Sequence, residues 1–415
     1  MKKVLVASAA LMLAGATAAD AGVNLSGDAR ATYVGKQDYQ RNLDQNSADG
    51  YHDYIESRIG VNIDGKTSTD GMFVKARVYF DGYGFEDDAP WNGTENQQVT
   101  VDYAYMQVPL GPNWAIKAGR VNPDFSKFYS WNIRPTRVYA MYQNGDFAFK
   151  PFLGVKQEEA STDTDNWDDN DFMEYGFVAS LKLMNGWTVK AYGRYDDDQR
   201  EWDKSAEEVY TITGDAATGF EVSEGYPTLS HKDKSGFTGD LVLTNDGAAC
   251  PIGFTAELAY KAADLQGTED DGIGSYVMLS KKMTDRFTPA ILAGMTKDGY
   301  VADNDFGFVI AGGDTSLQVM RVGEGGDLLF GAFVANYAAS DRLTLTGNLL
   351  YADFDNDAPG TFDNAIEVSG IASYALSDAA SLTYKAGYLT PSVIDGGGVA
   401  EDAYFGHLLR LNLAF

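Results

Sequence analysis

The sequence predicts an all-β protein, a transmembrane antiparallel up-and-down β-barrel of about 18 strands. Three observations predict it. Apolar and polar residues alternate along many short segments, tight turns alternate with long polar loops, and no segment after residue 20 has the run of apolar residues that a membrane helix needs. Because hydrocarbon offers no partner for an open strand edge, such a sheet must close on itself.

The composition excludes several other classes of protein. The chain has 415 residues, with 60 acidic against 32 basic residues and a formal net charge of -28. Nucleic-acid binding rests on clustered excess positive charge, so a nucleic-acid partner is not expected. A hydrophobic content of 44% argues against a disordered chain, and a mean hydropathy of -0.27 argues against a bundle of membrane helices.

The N-terminus resembles a secretory signal peptide. Lys2 and Lys3 are followed by an apolar run from Val4 to Ala14, which is too short to span a bilayer, and then by small residues. We expect cleavage after Ala21, with cleavage after residue 18 as the alternative. The predicted domains are therefore a signal peptide over residues 1–21 and a single barrel over residues 22–415. The one cysteine cannot form an internal disulfide.

Each predicted strand is identified by a period of two. In 187–196, for example, Trp187, Val189 and Tyr195 lie on one face and the polar residues on the other. The predicted strands cover residues 23–34, 55–64, 72–83, 99–110, 114–121, 137–143, 147–156, 172–183, 187–196, 236–244, 254–261, 275–282, 287–297, 327–337, 343–352, 364–376, 381–389 and 402–415. In lipid, the apolar faces point outward and the polar faces point into a wet interior.

The connections predict which ends of the strands share a rim. Residues 111–113, 144–146, 184–186 and 377–380 are tight turns, and long polar loops lie between them. Two strand-like pieces, Phe306–Ala311 and Leu317–Val322, fall inside the loop at 298–326. An added or lost hairpin changes the count by two, so the predicted range is 16 to 20 strands.

The last strand carries a family resemblance. Leu409, Leu411, Leu413 and Phe415 lie on one face and the terminal residue is aromatic, which resembles the C-terminal signal read by the bacterial barrel-assembly machinery. Residues 101–107, Val-Asp-Tyr-Ala-Tyr-Met-Gln, and residues 117–120, Lys-Ala-Gly-Arg, are similar to segments of Gram-negative outer-membrane porins. The resemblance implies a barrel in the bacterial outer membrane, in contact with lipid and lipopolysaccharide, that assembles as a homotrimer.

The same resemblance implies a constriction by the third loop, here residues 121–136. Its candidate constriction residues are Asp124, Lys127 and Arg134. The loop lacks the acidic Pro-Glu-Phe-Gly-Gly signature of many general porins. The strand count also differs from the 16 strands of general diffusion porins and is similar to that of sugar-specific porins.

Basic residues are concentrated at polar-face positions of the N-terminal half. The candidate pore-lining residues are Arg30, Arg58, Lys75, Arg77, Lys117, Arg120, Arg137 and Lys150. Opposed by Asp124, they would set up a transverse field; unopposed, they would favour anions despite the acidic total. The alternative is that any water-filled barrel lines itself with charge.

Acidic residues are concentrated in the loops. Loop 157–171 contains seven acids and no base, and Asp353, Asp355 and Asp357 alternate in loop 353–363. Carboxylates at alternate positions could bind Ca²⁺, which makes these three residues candidate ligands. The EF-hand pattern is not met, because its sixth and twelfth positions hold Ala358 and Asn364. We expect no cofactor, and acidic loops that are solvated or bridged by divalent ions to lipopolysaccharide.

The sequence gives little support for catalysis. An enzyme in a membrane barrel would need a histidine paired with a carboxylate or a serine. The three histidines, His52, His231 and His407, fall in two long loops and the last strand. Plugged, TonB-dependent transport is not expected, because the first strand begins directly after the cleavage site. We interpret Cys250 as an inert thiol.

The predicted function is passive diffusion of small hydrophilic solutes and ions through a water-filled channel. Two alternatives stay open. A substrate-specific porin would need an aromatic ladder along the pore, and inward Phe73, Tyr79 and Tyr192 are too few to predict one. A plugged barrel with a structural or surface-binding role would have loops 197–235 and 298–326 packed in the lumen.

Overall fold

A computed structural model describes most of the chain. It covers residues 22–37, 51–66, 71–82, 97–131, 133–157, 172–198, 209–215, 219–225, 235–245, 247, 251–266, 270–313, 316–355, 362–393 and 403–415. The predicted signal peptide, Cys250 and almost all of the acidic loop 157–171 lie outside these residues. No helix among the described residues is long and apolar enough to cross a membrane.

Twenty strands form in these residues, and eighteen of them make the barrel. The bounds are β1 Gly22–Gln37, β2 Tyr51–Lys66, β3 Phe73–Gly82, β4 Gln97–Pro109, β5 Trp114–Arg120, β6 Thr136–Asn144, β7 Phe147–Gln157, β8 Phe172–Lys182, β9 Trp187–Asp198, β10 Val209–Asp215, β11 Gly219–Gly225, β12 Gly236–Asn245, β13 Gly253–Lys261, β14 Gly272–Ser280, β15 Phe287–Lys297, β16 Asp327–Ala338, β17 Leu343–Asp355, β18 Phe362–Ser377, β19 Ala380–Val393 and β20 Tyr404–Ala414. A single helical turn, α1, covers Ala263–Gln266.

The sheet is closed and antiparallel throughout. Each barrel strand pairs with the next one along the chain, β9 pairs with β12, and β20 pairs with β1, which closes the barrel. The predicted fold class and the count of eighteen strands are confirmed. The remaining pair, β10 and β11, forms a separate hairpin inside the predicted loop 197–235.

The two strand-like pieces in loop 298–326 do not join the barrel. They meet through a single isolated bridge between Ala311 and Met320. The bridge is parallel, and the first piece is followed by Gly312 and Gly313, whose φ values of 77° and 82° suit glycine. This loop therefore adds no hairpin to the barrel wall, which leaves the count at eighteen.

The outward face of the barrel follows the predicted alternation. Leu25 on β1, Val99 on β4 and Leu329 on β16 point outward and are 62%, 69% and 62% exposed, whereas their neighbours along each strand point inward. In β17, outward Leu349 and Tyr351 alternate with buried Asn348, Leu350 and Ala352. An exposed apolar band of this kind suits contact with acyl chains.

The inward face divides into two regions. The basic wall, the inward face of β1 to β7, carries seven of the eight predicted cationic residues. The apolar wall, the inward face of β15 to β20, carries buried apolar residues: Ala290, Leu292, Leu328, Phe330, Leu350, Ala352, Phe354, Leu389 and Leu408. The prediction that polar strand faces point into a wet interior is wrong for the apolar wall, whose apolar side chains are buried beneath loop 298–326.

Candidate pore lining and constriction

Residues 121–135, between β5 and β6, cross the lumen. The base of this loop is closed by the Val121 amide, which donates to the Pro135 carbonyl at 2.9 Å. Phe125 and Tyr129 then pack on Tyr192 of β9, with ring centroids 5.5 and 5.1 Å apart. The loop therefore reaches from β5 to a strand four places further around the barrel.

The tip of the loop is held by two buried carboxylates. The Ser126 hydroxyl contacts Glu257 of β13 and lies 3.3 Å from Oδ2 of Asp240 on β12. The Tyr129 hydroxyl is hydrogen-bonded to Thr238 of β12. Buried polar groups are costly unless they are hydrogen-bonded, so these contacts fix where the tip lies.

The return of the loop is tied to β4. Arg134 Nε donates to Asp102 Oδ1 at 2.5 Å, and its Nη1 donates to Asn122 Oδ1 at 2.9 Å. Asp124 Oδ1 lies 3.8 Å from the same guanidinium. The structure thus brings together Asp124 and Arg134, two of the three predicted constriction residues. The third, Lys127, lies over the Trp131 ring at 5.9 Å.

Loop 298–326 also folds into the barrel and meets loop 121–135. The Phe128 and Phe306 rings are 4.7 Å apart, and the Asp303 amide donates to the Phe128 carbonyl at 3.0 Å. Asp303 Oδ2 in turn accepts from the Trp131 amide at 3.2 Å. Burial raises the pKa of the Asp303 carboxyl, and the Trp131 and Asp305 amides that donate to it act in the opposite direction. The two loops are therefore in direct contact inside the barrel.

Four of the predicted pore-lining residues lie together on the basic wall. Lys75 Nζ is 3.3 Å from Asp64 Oδ1, and Arg77 pairs with Asp28. The guanidinium groups of Arg58 and Arg77 lie 4.4 and 4.6 Å from the Tyr79 ring centroid, on neighbouring strands. Such cation–π contacts orient the cations without neutralising them. Arg30 is the direct register partner of Arg58.

Lys117 and Lys150 extend the basic wall toward β7. Lys117 Nζ lies 3.9 Å from the Tyr105 ring centroid, and Lys75 and Lys150 are close enough to repel its charge. Tyr105 is in contact with Phe73 and Tyr103, at 6.3 and 5.8 Å between centroids. A row of inward aromatic rings therefore runs beside the cations.

Two predicted pore-lining residues lie elsewhere. Arg137 is 1% exposed, because its guanidinium pairs with Glu174 and donates to the hydroxyls of Tyr139 and Tyr192 at 3.0 and 3.2 Å. Arg120 pairs in register with outward-facing Ala104, and its Nε donates to the Asp102 carbonyl at 3.0 Å. Arg137 is therefore buried within the wall, and Arg120 lies on the opposite face of β5 from Lys117.

The sequence reasoning missed the inward carboxylates that hold the two loops. Asp240, Glu257 and Glu367 each occupy an inward position between apolar neighbours in a predicted strand. A lone acid at such a position is a signal for a specific partner, because an unpaired buried charge is costly. Its partner comes from a loop distant in sequence, which alternation does not identify.

The other candidate residues are placed as follows. Asp353 and Asp355 lie at the end of β17 with exposed side chains, and Asp357 lies outside the described residues. No group of three His, Cys, Asp or Glu side chains that could hold a metal occurs in the described part of the chain. His407 lies beside the rings of Tyr33 and Phe405. His231 and the side chain of His52 are outside the described set.

The C-terminal residues complete the closure of the barrel. Leu409, Leu411, Leu413 and Phe415 are all exposed on the outward face. Phe415 exchanges both backbone hydrogen bonds with Gly27 of β1, at 2.7 and 2.9 Å. A side chain at Gly27 would begin 2.5 Å from the Phe415 ring, so this glycine leaves room for the terminal aromatic residue.

A closed barrel of eighteen antiparallel strands, apolar outside and with two loops folded into its interior, is the architecture of an outer-membrane-type β-barrel. Solved structures share this fold. OprD, an outer membrane protein from Pseudomonas aeruginosa, matches with a TM-score of 0.59 and 9% identity over 96% of each chain. OccK5 (OpdH) from the same organism matches with a TM-score of 0.58 and 11% identity over 95% of this chain and 98% of its own.

A third structure, OpdQ from Pseudomonas aeruginosa, has a TM-score of 0.57 and 9% identity over 95% of this chain and 98% of its own. No protein-family model matches the chain, and no curated protein matches it in sequence. At these identities the comparisons establish the fold alone.

Proposed function

We propose that this protein is a channel in the bacterial outer membrane through which small hydrophilic solutes and ions diffuse passively. One observation carries the proposal. Much of loop 298–326 is buried against the apolar wall, whereas the basic wall keeps solvent contact: the side chains of Lys75 and Asp64 are 42% and 37% exposed. A water-filled path therefore runs along the basic wall.

The charges along this path favour anions. Lys117 and Lys150 extend the row of cations, while Asp28 and Asp64 pair with Arg77 and Lys75. In a narrow path with low-dielectric walls, fixed charges act strongly on a passing ion. The net charge of the whole chain acts on the path less than the charges beside it do, because salt screens charges that are more than about 10 Å apart.

The test is single-channel recording of refolded protein in planar bilayers. The proposal predicts discrete ohmic current steps, and a reversal potential under a KCl gradient that shows chloride preference. Stable insertion without any ohmic current would exclude a channel. A cation-selective reversal potential would leave the channel in place and show that the acids govern selectivity.

A substrate-specific porin is supported by the row of Phe73, Tyr105 and Tyr103, whose rings are in contact beside Lys75. Such a row could guide solutes that carry both an apolar face and an anionic group. In that case a matching solute would block the ion current at concentrations at which a neutral solute of equal size does not. Equal block by both solutes would favour general diffusion.

A plugged, structural barrel is supported by the burial of loop 298–326 inside the lumen. The plug hypothesis also places loop 197–235 there, and most of that loop lies outside the described residues. Liposome swelling separates the two functions, because a channel admits small sugars and a plugged barrel does not.

The remaining assignments belong to the same proposal. Export would use the signal peptide at residues 1–21, assembly would use the C-terminal signal, and the assembled form would be a homotrimer without enzymatic activity. N-terminal sequencing of the protein from outer membranes and light scattering of the detergent-solubilised protein test the first and third of these statements.

A further inference from the structure

Glu367 is a carboxylate placed in an otherwise apolar part of the barrel wall. It lies on β18, and its direct register partners are Leu350 on β17 and Leu389 on β19. All three side chains are fully or almost fully buried, and none of the ion pairs in the described residues involves Glu367. A buried carboxylate without a cation is stable only if hydrogen bonds replace the lost water.

Loop 298–326 supplies those hydrogen bonds. Three successive backbone amides donate to the Glu367 carboxylate: Val309 to Oε1 at 2.9 Å, and Ile310 and Ala311 to Oε2 at 3.2 and 2.7 Å. Consecutive amides that converge in this way form a binding site for an anionic group. Here the anionic group is part of the barrel wall, and the chain that binds it is the loop.

The wall next to Glu367 is shaped to receive the same loop. A Cβ atom at Gly387 would lie 2.7 Å from Cγ1 of Ile310, and one at Gly406 would lie 3.2 Å from Cδ2 of Leu317. Neither glycine has a positive φ, so the reason for glycine is space for the loop side chains. By contrast, outward Gly347 on β17 has no atom within 4 Å of its Cβ position.

We propose that Glu367 is the positioning residue that seats loop 298–326 on the apolar wall and so determines the cross-section of the channel. This inference rests on the proposed channel function. Without the seat, the three amides lose their acceptor in a dry environment, and the loop has to leave the wall to hydrate them. The conducting path then widens on the side that the loop had filled.

The experiment compares wild type with Glu367→Gln, Glu367→Ala and a variant in which residues 304–320 are replaced by a short Gly-Ser linker. The matched control is Asp353→Ala, which removes a carboxylate from the exposed outward end of β17. A second pair compares Gly387→Val with Gly347→Val. Resistance to SDS at room temperature checks that each barrel is folded, since Glu367 uses only its side chain to hold the loop.

Two readouts follow the loop and the channel separately. Trypsin cleavage after Arg321, located by mass spectrometry, reports whether the loop is seated. Single-channel conductance and the swelling rate with larger sugars report the cross-section. We expect cleavage and a conductance increase of about twofold in Glu367→Ala and in the linker variant, a smaller increase in Glu367→Gln and Gly387→Val, and wild-type values in both controls.

The possible failures are distinguishable. If Glu367→Ala resists trypsin like wild type, Glu367 does not seat the loop. If the loop is cleaved but conductance stays at the wild-type value, the loop does not determine the cross-section. Absence of current in every variant, including the linker variant, would instead exclude the proposed channel function. Current that appears only in the variants that release the loop would support the seating role of Glu367 and would show that the wild-type loop is a plug.

Discussion

The inward-facing residues on the two sides of the lumen differ in polarity and in exposure to solvent. On the basic wall, Lys75 and Arg77 stand next to carboxylates and remain in contact with solvent. On the apolar wall, Leu389 and Leu408 are 1% and 0% exposed beneath loop 298–326. The same strand alternation produces both regions, so the polarity of the interior depends on which loop covers it.

The largest expected effect is on stability, and it tests whether a cation of the basic wall is packed in the protein interior or exposed to the conducting path. Replacing Arg137 with alanine leaves Glu174 buried without its main partner, since Arg194 is 3.8 Å away, and should cost about 3–5 kcal/mol of unfolding free energy. Lys75→Ala breaks a solvent-exposed pair and should cost at most about 1 kcal/mol. Urea unfolding of both variants in lipid bilayers gives the comparison. Similar costs would mean that Arg137 is also solvated.

Phe128 tests whether the two loops depend on one another. Its ring contacts Tyr276, Tyr300 and Phe306 and joins loop 121–135 to loop 298–326. Phe128→Ala removes a buried aromatic side chain, which typically costs about 3–5 kcal/mol, although part of this cost falls on the loops and not on the barrel. We expect noisier single-channel current and faster proteolysis of both loops. Phe147→Ala, on the outward face, is the control, and equal behaviour of the two variants would show that the loops are independent.

The sequence predicts the position of each barrel strand and of the exposed cations, but not which inward residues are buried against a partner. Alternation locates all eighteen barrel strands, because each strand is constrained by lipid on one face. It also places Lys75 and Lys117 inward, where they lie. It does not separate Arg137 from them, since burial there depends on Glu174 of β8, and it does not identify Glu367, whose partners are backbone amides 56 to 58 residues away.

Selectivity provides a test confined to the basic wall. Lys117→Gln removes a cation that lies over the Tyr105 ring, so chloride preference over potassium should fall by roughly twofold. Lys282→Gln is the matched control, because Lys282 lies in an exposed turn beside Asp285. Reversal potentials under a salt gradient measure both variants. An equal shift in both would indicate that general surface charge governs selectivity.

The smallest expected effect is a pH dependence of the junction between the loops. Burial raises the pKa of Asp303 above its usual range, so the folded junction takes up a proton more readily than the unfolded chain does. As the pH falls through the raised pKa, the burial cost of the charge disappears, and the junction becomes more stable in mild acid.

Asp271, in the connection between β13 and β14, supplies the opposite case. Its pKa is lowered by the Tyr260 hydroxyl, which donates at 2.7 Å, so its stabilising contribution is lost as the pH falls through the lowered pKa. Because protonation of Asp303 stabilises the junction between the loops, we expect proteolysis of loop 298–326 to slow between neutral and mildly acidic pH. Asp303→Asn should remove this change, whereas Asp271→Asn should retain it. Faster loop cleavage in mild acid would show that the two amides donating to Asp303, and not its burial, dominate at the junction.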